Sequence, residues 1–437
     1  MKVASYAPGQ TDSVQFAISA DDCLLHFEAE QLTAKQRADD KANKDLIAML
    51  QCASQFIAKP GDRVALYEGF DAPPWRATLA RYQGFFAELG LNPVAMDACS
   101  FHPREDFYAP LASAPPPTDL VTVYLISGSN RVLHQGTPAL AISQDVNSKM
   151  TLARDAENHG IPVPTSLVLR HDELGSDVAR HFLTAAQGPV MLKVMGLAGA
   201  RNVTTVASIE EARNYLADYE AELEVLLQQR LDPTVYTEMT ADLRVADDSI
   251  EIANVRQILF QEGLWVGNYI SDRIPLSETQ RAALIRVGEY VRSKGYSAAE
   301  GVNCGIDFFV RGDDIMIIEI NARWTGGLKP AEMVRRLNIG HGDTVVAFDS
   351  IATASLEDYL AFCERHLYRA DGAPFAGIPM GFSPYTFMDD NGIERMYVWQ
   401  MVTGELQAFR AARSSALDVG DLAVTAAISL PKPGGQG

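Results

Sequence analysis

The sequence is short of cysteine, of basic residues and of long apolar runs. Its five cysteines (Cys23, Cys52, Cys99, Cys304 and Cys363) form no CxxC pair. An odd, scattered set in a chain of this length is not typical of a disulfide framework. No window approaches the ~18 apolar residues that a membrane span needs, and the first residues lack the apolar core of a signal peptide. We therefore expect reduced thiols, a cytoplasmic location and no membrane partner.

Basic residues are outnumbered by acidic ones. The 437 residues include 37 Lys and Arg against 56 Asp and Glu, which gives a formal charge of −19. A field of that sign repels phosphate backbones, so it argues against nonspecific binding of nucleic acid or of an anionic membrane surface. Hydrophobic residues make up 47 % and charged residues 21 %, values that indicate buried cores and not general disorder. A small anionic ligand in one local site remains compatible with this composition.

The apolar pattern predicts a mixture of α/β and α+β organisation. From Arg63, short apolar runs alternate with helical stretches, which predicts parallel βαβ units. A helix capped by Asp145 and ended by Gly160 then leads to a second region, where strands and helices alternate less regularly. There Ser277 and Gln280 form a capping box before an amphipathic helix. We expect an N-terminal αβ domain (1–145), two central subdomains (146–235 and 236–345), and a C-terminal section (346–437) that continues the third or forms a small appended domain.

The segment GIDFFVRGDDIMIIEINAR (305–323) carries the most specific chemistry. Two apolar runs around a Gly-Asp turn predict a β-hairpin. Glu319 and Asn321 project from one face of the second strand. With a three-residue loop at 312–314, Asp307 lies opposite Glu319, and the three oxygen-bearing side chains suit Mg²⁺ shared with phosphates. The alternative is a hairpin with one solvated polar face. The residues expected to pack on the other face are Met316, Ile318 and Ile320.

Two lysines precede this hairpin. Lys193 lies in the strand candidate VMLKVM and is followed by the loop Gly196-Leu-Ala-Gly199-Ala-Arg201-Asn202. A lysine beside glycines that let backbone amides approach closely is typical of phosphate binding, with a snorkelling surface lysine as the alternative. Lys149 begins an earlier helix, where a solvated residue is the alternative.

A strand exit follows in LLQQRLDP (226–233). Its backbone, with Gln228, Gln229 and Asp232, offers groups for a purine and a ribose; the alternative is an ordinary strand exit. Directly after the hairpin, Trp324-Thr325-Gly326-Gly327 is a candidate substrate contact, because its glycines permit close backbone approach, with a plain turn as the alternative.

In this order and rough spacing, Lys149, Lys193, the QQRLD exit, Asp307 and the Glu319-x-Asn321-x-Arg323 element resemble the ATP-grasp superfamily over about residues 140–330. The strand DLRV (242–245), the strand that carries Arg256 and the loop to Asn268 are similar to further elements of that family. The N-terminal region then resembles the family's pre-ATP-grasp domain. The layout is similar to amino-acid and peptide ligases, including the pheganomycin type.

The resemblance implies roles for matching residues. ATP phosphates would be held by Lys149, Lys193 and the loop with Gly196, Gly199 and Arg201. Adenine would be lined by Gln228, Gln229, Arg230 and Leu231, with Asp232 as the ribose candidate. Mg²⁺ would be held by Asp307, Glu319 and Asn321. Substrate would be contacted by Asn268, Trp324, Thr325, Gly326 and Gly327.

One departure leaves an arginine role open. D-alanine ligases place an arginine two residues before the aspartate, where this chain has Gly305. Arg323, Arg256 and Arg244 are therefore alternatives for the group that stabilises the transferring phosphate or the acyl phosphate.

The resemblance implies an ATP- and Mg²⁺-dependent ligase. It would activate a carboxylate as an acyl phosphate, couple it to an amine, and release ADP and phosphate. The implied partners are a small carboxylate and an amine, with a homodimer as the candidate oligomeric state. A phosphotransferase acting on a small metabolite and a noncatalytic nucleotide-binding regulator are the alternatives.

Overall fold

In the computed structural model the described residues are 2–3, 13–19, 34–112, 119–121, 139–186, 188–194, 203–261, 264–271, 274–339, 344–369 and 372–417. The tail LPKPGGQG, which we expect to be disordered, lies outside them. None of the described helices is long and apolar enough to cross a membrane.

The N-terminal region forms the parallel sheet that the alternating pattern predicts. The strands pair in the order β1-β5-β2-β3-β4, and every pair is parallel. The strands are β1 (Lys2–Val3), β2 (Val14–Phe16), β3 (Arg63–Tyr67), β4 (Cys99–His102) and β5 (Asp119–Val121). The helices are α1 (Ala34–Ile57), α2 (Pro73–Glu88) and α3 (Ala109–Ala112).

Two short helices connect this region to a four-stranded antiparallel sheet in the order β6-β9-β7-β8. The strands are β6 (Ser166–Arg170), β7 (Val190–Val194), β8 (Val203–Val206) and β9 (Glu224–Gln229). The helices are α4 (Ala139–Val146), α5 (Lys149–Asp155), α6 (Asp177–Ala185) and α7 (Ile209–Tyr215). Ser148, and not Asp145, caps α5, because its side chain accepts a hydrogen bond from the backbone N–H of Thr151.

The rest of the described chain forms an eight-stranded antiparallel sheet in the order β14-β13-β10-β11-β12-β15-β17-β16. The strands are β10 (Thr237–Val245), β11 (Ile250–Gln261), β12 (Leu264–Ile270), β13 (Val302–Arg311), β14 (Asp314–Asn321), β15 (Thr344–Ala352), β16 (Phe375–Met388) and β17 (Glu394–Gly404). The helices are α8 (Glu278–Ser293), α9 (Leu328–Arg336), α10 (Leu356–Arg365) and α11 (Leu406–Ala416). Strands β15 to β17 of the C-terminal section therefore continue the central sheet. The three boundaries between the segments, at 145, 235 and 345, stay predictions.

The hairpin β13–β14 pairs Asp307 with Glu319, as predicted. The turn differs from the prediction. Arg311 pairs directly with Asp314, so the loop consists of residues 312–313 and is one residue shorter than expected. A two-residue loop alone would place Asp307 opposite residue 318.

A β-bulge at Ile318 restores the expected pairing. Phe308 lies opposite Ile317, whereas the next pair along the hairpin is Asp307 with Glu319, so Ile318 is the extra residue. The extra residue shifts the alternation of side chains. Consequently Met316 and Ile318 are only partly buried, and the predicted packing face is wrong for both. The residues that enter the core are Ile315, Ile317 and Ile320.

The largest hydrophobic core joins the N-terminal region to the C-terminal strands. Phe382 on β16 contacts Phe70 and Tyr82, with ring centroids 5.2 and 5.0 Å apart. Trp324, after β14, meets Phe16 of β2 edge to face at 6.2 Å. The four-stranded sheet has a core of its own, built around residues such as Leu192 and Leu227.

Candidate active site

Asp307, Glu319 and Asn321 meet on one face at the end of the β13–β14 hairpin. The Asn321 side-chain amide donates to Oδ2 of Asp307 at 2.9 Å. Its carbonyl oxygen, Oδ1, is buried without a hydrogen-bond partner among the described residues. The Thr240 hydroxyl of the neighbouring strand β10 also bonds to Asp307. The predicted oxygen set is therefore assembled, and one of its buried oxygens is left unsatisfied.

Burial and neighbouring charges shift the pKa values of Asp307 and Glu319 in opposite directions. Burial, followed by repulsion from Glu319, raises the pKa of Asp307 to about 6. Burial also pushes the pKa of Glu319 upward, but attraction to Lys149, Arg323 and Lys193 outweighs it, so this pKa lies below its ordinary value. The site therefore holds concentrated negative charge that a cation would relieve.

The oxygen atoms of these three side chains suit an Mg²⁺ ion that is also bound to nucleotide phosphates. Within the described ranges, no group of three His, Cys, Asp or Glu side chains is placed to hold a metal ion. Asp307, Glu319 and Asn321 supply two carboxylates and one amide oxygen. Mg²⁺ is usually held by one or two carboxylates together with waters and phosphate oxygens. The residues fit a metal ion shared with a phosphate-bearing ligand and do not fit a closed structural site.

Both predicted lysines face this cluster. Lys149 Nζ lies 2.5 Å from Oε1 of Glu319. Lys193 donates to Oε1 of Gln228 at 2.7 Å and is buried, so the snorkelling alternative does not apply. Burial, together with repulsion from Lys149, lowers the pKa of Lys193 to about 8. Two lysines and two carboxylates thus share one electrostatic environment.

Glu238 joins the cluster, although the sequence motifs did not single it out. Burial, followed by repulsion from Asp307, raises its pKa to about 8, while Lys193 acts in the opposite direction. Glu238 lies two residues before Thr240 on β10, and Thr240 pairs with Asp307. The alternation Glu238, Thr240, Asp242 in TEMTAD was the available signal, because it places three polar side chains on one face of a strand.

The strand exit after β9 divides into a buried and an exposed part. Gln228 is buried, accepts from Lys193 and donates to the Ser166 hydroxyl at 3.0 Å. Gln229 and Arg230 are exposed and Leu231 is half-buried. Asp232 is exposed, and its Oδ1 accepts from the backbone N–H and the hydroxyl of Thr234. Asp232 therefore serves a local turn in this structure. Gly196, Gly199 and Arg201 lie outside the described residues.

The three candidate arginines have different surroundings. Arg323 is half-buried, its Nη1 donates to Asn147 at 3.0 Å, and it influences both Asp307 and Glu319. Arg256 is fully buried and paired with Asp242 at 2.6 Å. Arg244 donates twice to the Glu300 carbonyl oxygen, at 3.0 and 2.8 Å. Of the three, Arg323 is the one whose charge acts on both carboxylates.

Asp242 organises the segment that follows β14. Its carboxylate accepts from Arg256, from Asn303 at 2.9 Å, and from the Thr325 hydroxyl at 3.2 Å. Gly327 packs against the Arg256 guanidinium so closely that a Cβ would lie 2.9 Å from Nε. Thr325, half-buried Gly326 and Gly327 are thus held beside the cluster.

Two other predicted substrate residues lie in different settings. Asn268 on β12 is buried, and its Oδ1 has no hydrogen-bond partner among the described residues. A Cβ on Gly327 would lie 3.0 Å from that oxygen, so Asn268 adjoins the same turn. Trp324 lies fully inside the hydrophobic core against Phe16. The structure therefore brings Asn268 to the site and directs Trp324 away from it.

Comparisons with known proteins place the whole arrangement in a known architecture. No protein-family model matches the sequence, and no curated protein does. Among solved structures, the phosphoribosylamine–glycine ligase of Thermotoga maritima matches with a TM-score of 0.56 at 15 % identity, covering 94 % of this chain and 98 % of that one. The N5-carboxyaminoimidazole synthetase of Staphylococcus aureus with ADP matches with a TM-score of 0.53 at 10 % identity, covering 95 % and 99 %.

A third match is the biotin carboxylase domain of the Hydrogenobacter thermophilus 2-oxoglutarate carboxylase, in a dimer with MgADP and bicarbonate. Its TM-score is 0.53 at 11 % identity, covering 94 % of this chain and 92 % of that one. The chain has the ATP-grasp fold. The predicted fold class is therefore confirmed, since these matches extend over nearly the full length of this chain and of each neighbour.

Gly305 packs tightly against the turn that follows β14. A Cβ at residue 305 would lie 2.3 Å from the Thr325 methyl group and 3.2 Å from the Asn321 Cβ. The turn 325–327 occupies the space that a side chain on β13 would need. The position of this turn therefore depends on a glycine at residue 305.

Proposed function

We propose that this protein is an ATP- and Mg²⁺-dependent ligase that activates a small carboxylate as an acyl phosphate and couples it to an amine. The single observation that carries the proposal is the convergence of Lys149, Asp307, Glu319, Asn321 and Arg323 on one face of the sheet. Phosphoryl transfer needs mainly positioning and neutralisation of charge. Two carboxylates for a metal, flanked by fixed cations, supply both.

In this proposal the chain binds the nucleotide from two sides. Lys149 and Lys193 contact ATP phosphates, and the strand exit 228–232 lines the base and ribose. Gly196, Gly199 and Arg201 are further candidates for phosphate contacts, predicted from the sequence alone. Asp307, Glu319 and Asn321 would hold Mg²⁺, which would supply neutralisation of phosphate charge. Arg323 contacts the transferring phosphate, because it is the candidate arginine whose charge acts on both carboxylates.

The turn after β14 supports the second substrate. A carboxylate resists attack by an amine, and conversion to an acyl phosphate provides phosphate as a leaving group. Thr325 is bonded to Asp242 and Gly327 adjoins Asn268. We assign binding of the acid to this turn, residues 325–327. Arg256 is bonded to Asp242, and Arg244 to the Glu300 carbonyl oxygen. We therefore assign these two arginines to support this turn and the neighbouring strand.

The solved neighbours support the reaction class. One is named a phosphoribosylamine–glycine ligase, and another binds MgADP and bicarbonate. An amino acid or a small carboxylic acid is the proposed substrate class, and the amino-acid and peptide ligases of the pheganomycin type are the proposed subgroup. Cytoplasmic location, a homodimer and the segment boundaries at 145, 235 and 345 belong to the same proposal.

An ADP-release screen with pairs of acids and amines tests the proposal. We expect ADP and phosphate to appear only with a productive pair, and mass spectrometry to detect the amide. A stable phosphoester with one metabolite would identify a phosphotransferase instead. Nucleotide binding without turnover across the panel would identify a noncatalytic regulator.

Glu319→Gln provides the control for the metal assignment. It keeps the size of the side chain but removes one of the two carboxylates, and we expect at least a hundredfold loss of ADP release. Glu157→Gln, at an exposed position after α5, should keep full activity. Full activity in folded Glu319→Gln would contradict the metal assignment.

A further inference from the structure

Asn147, between α4 and α5, is a buried amide whose hydrogen-bonding capacity is fully used. Its Oδ1 accepts from the backbone N–H of Ala322 at 2.8 Å and from Arg323 Nη1 at 3.0 Å. Its Nδ2 donates to the Ser143 carbonyl oxygen at 2.8 Å and to the Ala322 carbonyl oxygen at 3.4 Å. Two donors and two accepted bonds are the full inventory of an asparagine side chain.

These contacts require an amide at this position. Ala322 presents both an N–H and a carbonyl oxygen, so its partner must accept and donate, as a neighbouring strand would. An aspartate accepts but cannot donate, and an alanine does neither. The same Oδ1 that accepts from Ala322 also accepts from Arg323, so the backbone at the end of β14 and the arginine head are tied to one atom.

The chain around Asn147 is fixed at a second point. Two residues later, Lys149 meets Glu319 on the same strand, β14. On the opposite side, Asn303 donates to the Arg323 carbonyl oxygen at 2.8 Å. The Arg323 main chain is therefore held by Asn303 and its guanidinium by Asn147. Arg323 Nε remains buried without a hydrogen-bond partner among the described residues.

We propose that Asn147 is a positioning residue that orients the Arg323 guanidinium toward the transferred phosphate. The inference rests on the proposed function, in which Arg323 contacts that phosphate. A long arginine side chain loses conformational freedom when it binds, and a guanidinium that is already oriented loses less. Asn147 lies between α4 and α5, in the segment that connects the N-terminal region to the four-stranded sheet. Through Arg323 it ties this segment to the proposed phosphate-transfer site.

A double-mutant cycle in which nucleotide binding is measured tests this role without relying on turnover. Wild type, Asn147→Ala, Arg323→Ala and the double variant are titrated calorimetrically, in the presence of Mg²⁺, with ADP and with AMP-PNP, which retains a γ-phosphate. We expect Arg323→Ala to weaken AMP-PNP binding about tenfold or more relative to ADP, and Asn147→Ala to weaken it about fivefold. In the double variant the loss should equal that of Arg323→Ala alone, because Asn147 acts through Arg323.

Gln280→Ala is the matched control for a buried amide. The Gln280 side chain accepts from the Ser277 backbone N–H and donates to the Gly312 carbonyl oxygen, in the turn of the β13–β14 hairpin at the opposite end from Asn321. It should lower the melting temperature much as Asn147→Ala does while leaving the AMP-PNP to ADP ratio unchanged. Should Asn147→Ala fail to fold, Asn147→Asp keeps the two accepted bonds and should give an intermediate ratio.

The outcomes separate the inference from the proposed function. A selective γ-phosphate effect of Arg323→Ala that Asn147→Ala does not share, or that adds fully in the double variant, would overturn the positioning role and leave the proposed function standing. Equal losses for ADP and AMP-PNP in Arg323→Ala would overturn the phosphate role of Arg323, and the inference with it.

Discussion

Lys193, which we propose contacts ATP phosphates, is almost completely buried. Its pKa of about 8 means that it is protonated at pH 7 and largely neutral at pH 9.5. Because phosphate binding favours the protonated amine, we expect the Kd for AMP-PNP with Mg²⁺ to be level below pH 7 and to rise above pH 8. One coupled proton limits the rise to about tenfold per pH unit. Calorimetric titration between pH 6.5 and 9.5 measures it.

The pKa of Glu238 is also about 8. Its deprotonation should raise the Kd as well, because it adds negative charge beside the phosphates. Glu238→Gln removes that contribution and should leave the part that Lys193 causes. In Lys193→Arg the charge persists, so only the part of the rise that Glu238 causes should remain. A wild-type Kd that stays level from pH 7 to 9.5 would contradict the assignment of Lys193 to phosphates.

Lys329 is a buried lysine that the proposed reaction does not use. Its Nζ donates to the Ser54 hydroxyl at 3.1 Å and lies 5.3 Å from the Trp324 ring centroid. Burial lowers its pKa to about 7. Between pH 7 and 10 the unfolded chain therefore binds more protons at this residue than the folded chain, and the residue's contribution to stability rises with pH.

Lys329→Met should raise the free energy of unfolding by on the order of 3–4 kcal/mol at pH 7, and by much less at pH 10. Urea unfolding midpoints at both pH values measure the difference. Lys294→Met is the control of opposite sign, because hydrogen bonds to Asp155 and Asp145 raise the pKa of Lys294. An equal gain from Lys329→Met at both pH values would refute the buried-charge explanation.

At the scale of elements, the β13–β14 hairpin shows what the sequence can predict. Its two strands and the turn between them follow from periodicity and turn residues. The bulge at Ile318 does not, because an uninterrupted run of four apolar residues, Ile315 to Ile318, fits either alternation. The correct pairing arose from two compensating errors, a loop predicted one residue too long and an unrecognised extra residue in the strand.

Gly305 on β13 tests how tightly the hairpin and the following turn are fitted. Gly305→Ala places a methyl group 2.3 Å from the Thr325 Cγ2. Thr325 is short and bonded to Asp242, so it cannot move away without moving the turn. We expect a loss of about 1–3 kcal/mol in stability and a lower rate of ADP release. Thermal melting and the release assay measure the two effects.

Gly84→Ala is the control, since a Cβ at this position in α2 has nothing within 4 Å. There the substitution removes a poor helix former and should raise the melting temperature. Equal behaviour of the two variants would mean that the 325–327 turn yields freely to a side chain on β13.

At the scale of the whole molecule, the decisive contacts join residues hundreds of positions apart. Phe16 meets Trp324, and Phe70 meets Phe382. Periodicity predicts that each of these residues is buried but not which partner it meets, because local patterns carry no information about how sheets pack together. The same limit applies to Asn147, whose partners Ala322 and Arg323 lie across the chain. Motif spacing predicted the candidate site, whereas the residues that support it could be named only from the structure.

The distribution of cores predicts which parts of the molecule loosen together. Phe382 and Leu227 are both fully buried, but Phe382 lies in the core shared by the N-terminal region and β15 to β17, and Leu227 lies in the separate core of the four-stranded sheet. Phe382→Ala leaves a cavity against Phe70 and Tyr82 that costs about 3–5 kcal/mol. We expect faster hydrogen exchange in residues 63–112 and 344–404 alike. Leu227→Ala should speed exchange only within 166–229, because few apolar contacts join that sheet to the rest. Hydrogen exchange measured by mass spectrometry tests both expectations. If Phe382→Ala speeds exchange only within residues 375–404, the N-terminal region and the central sheet are stable independently of each other.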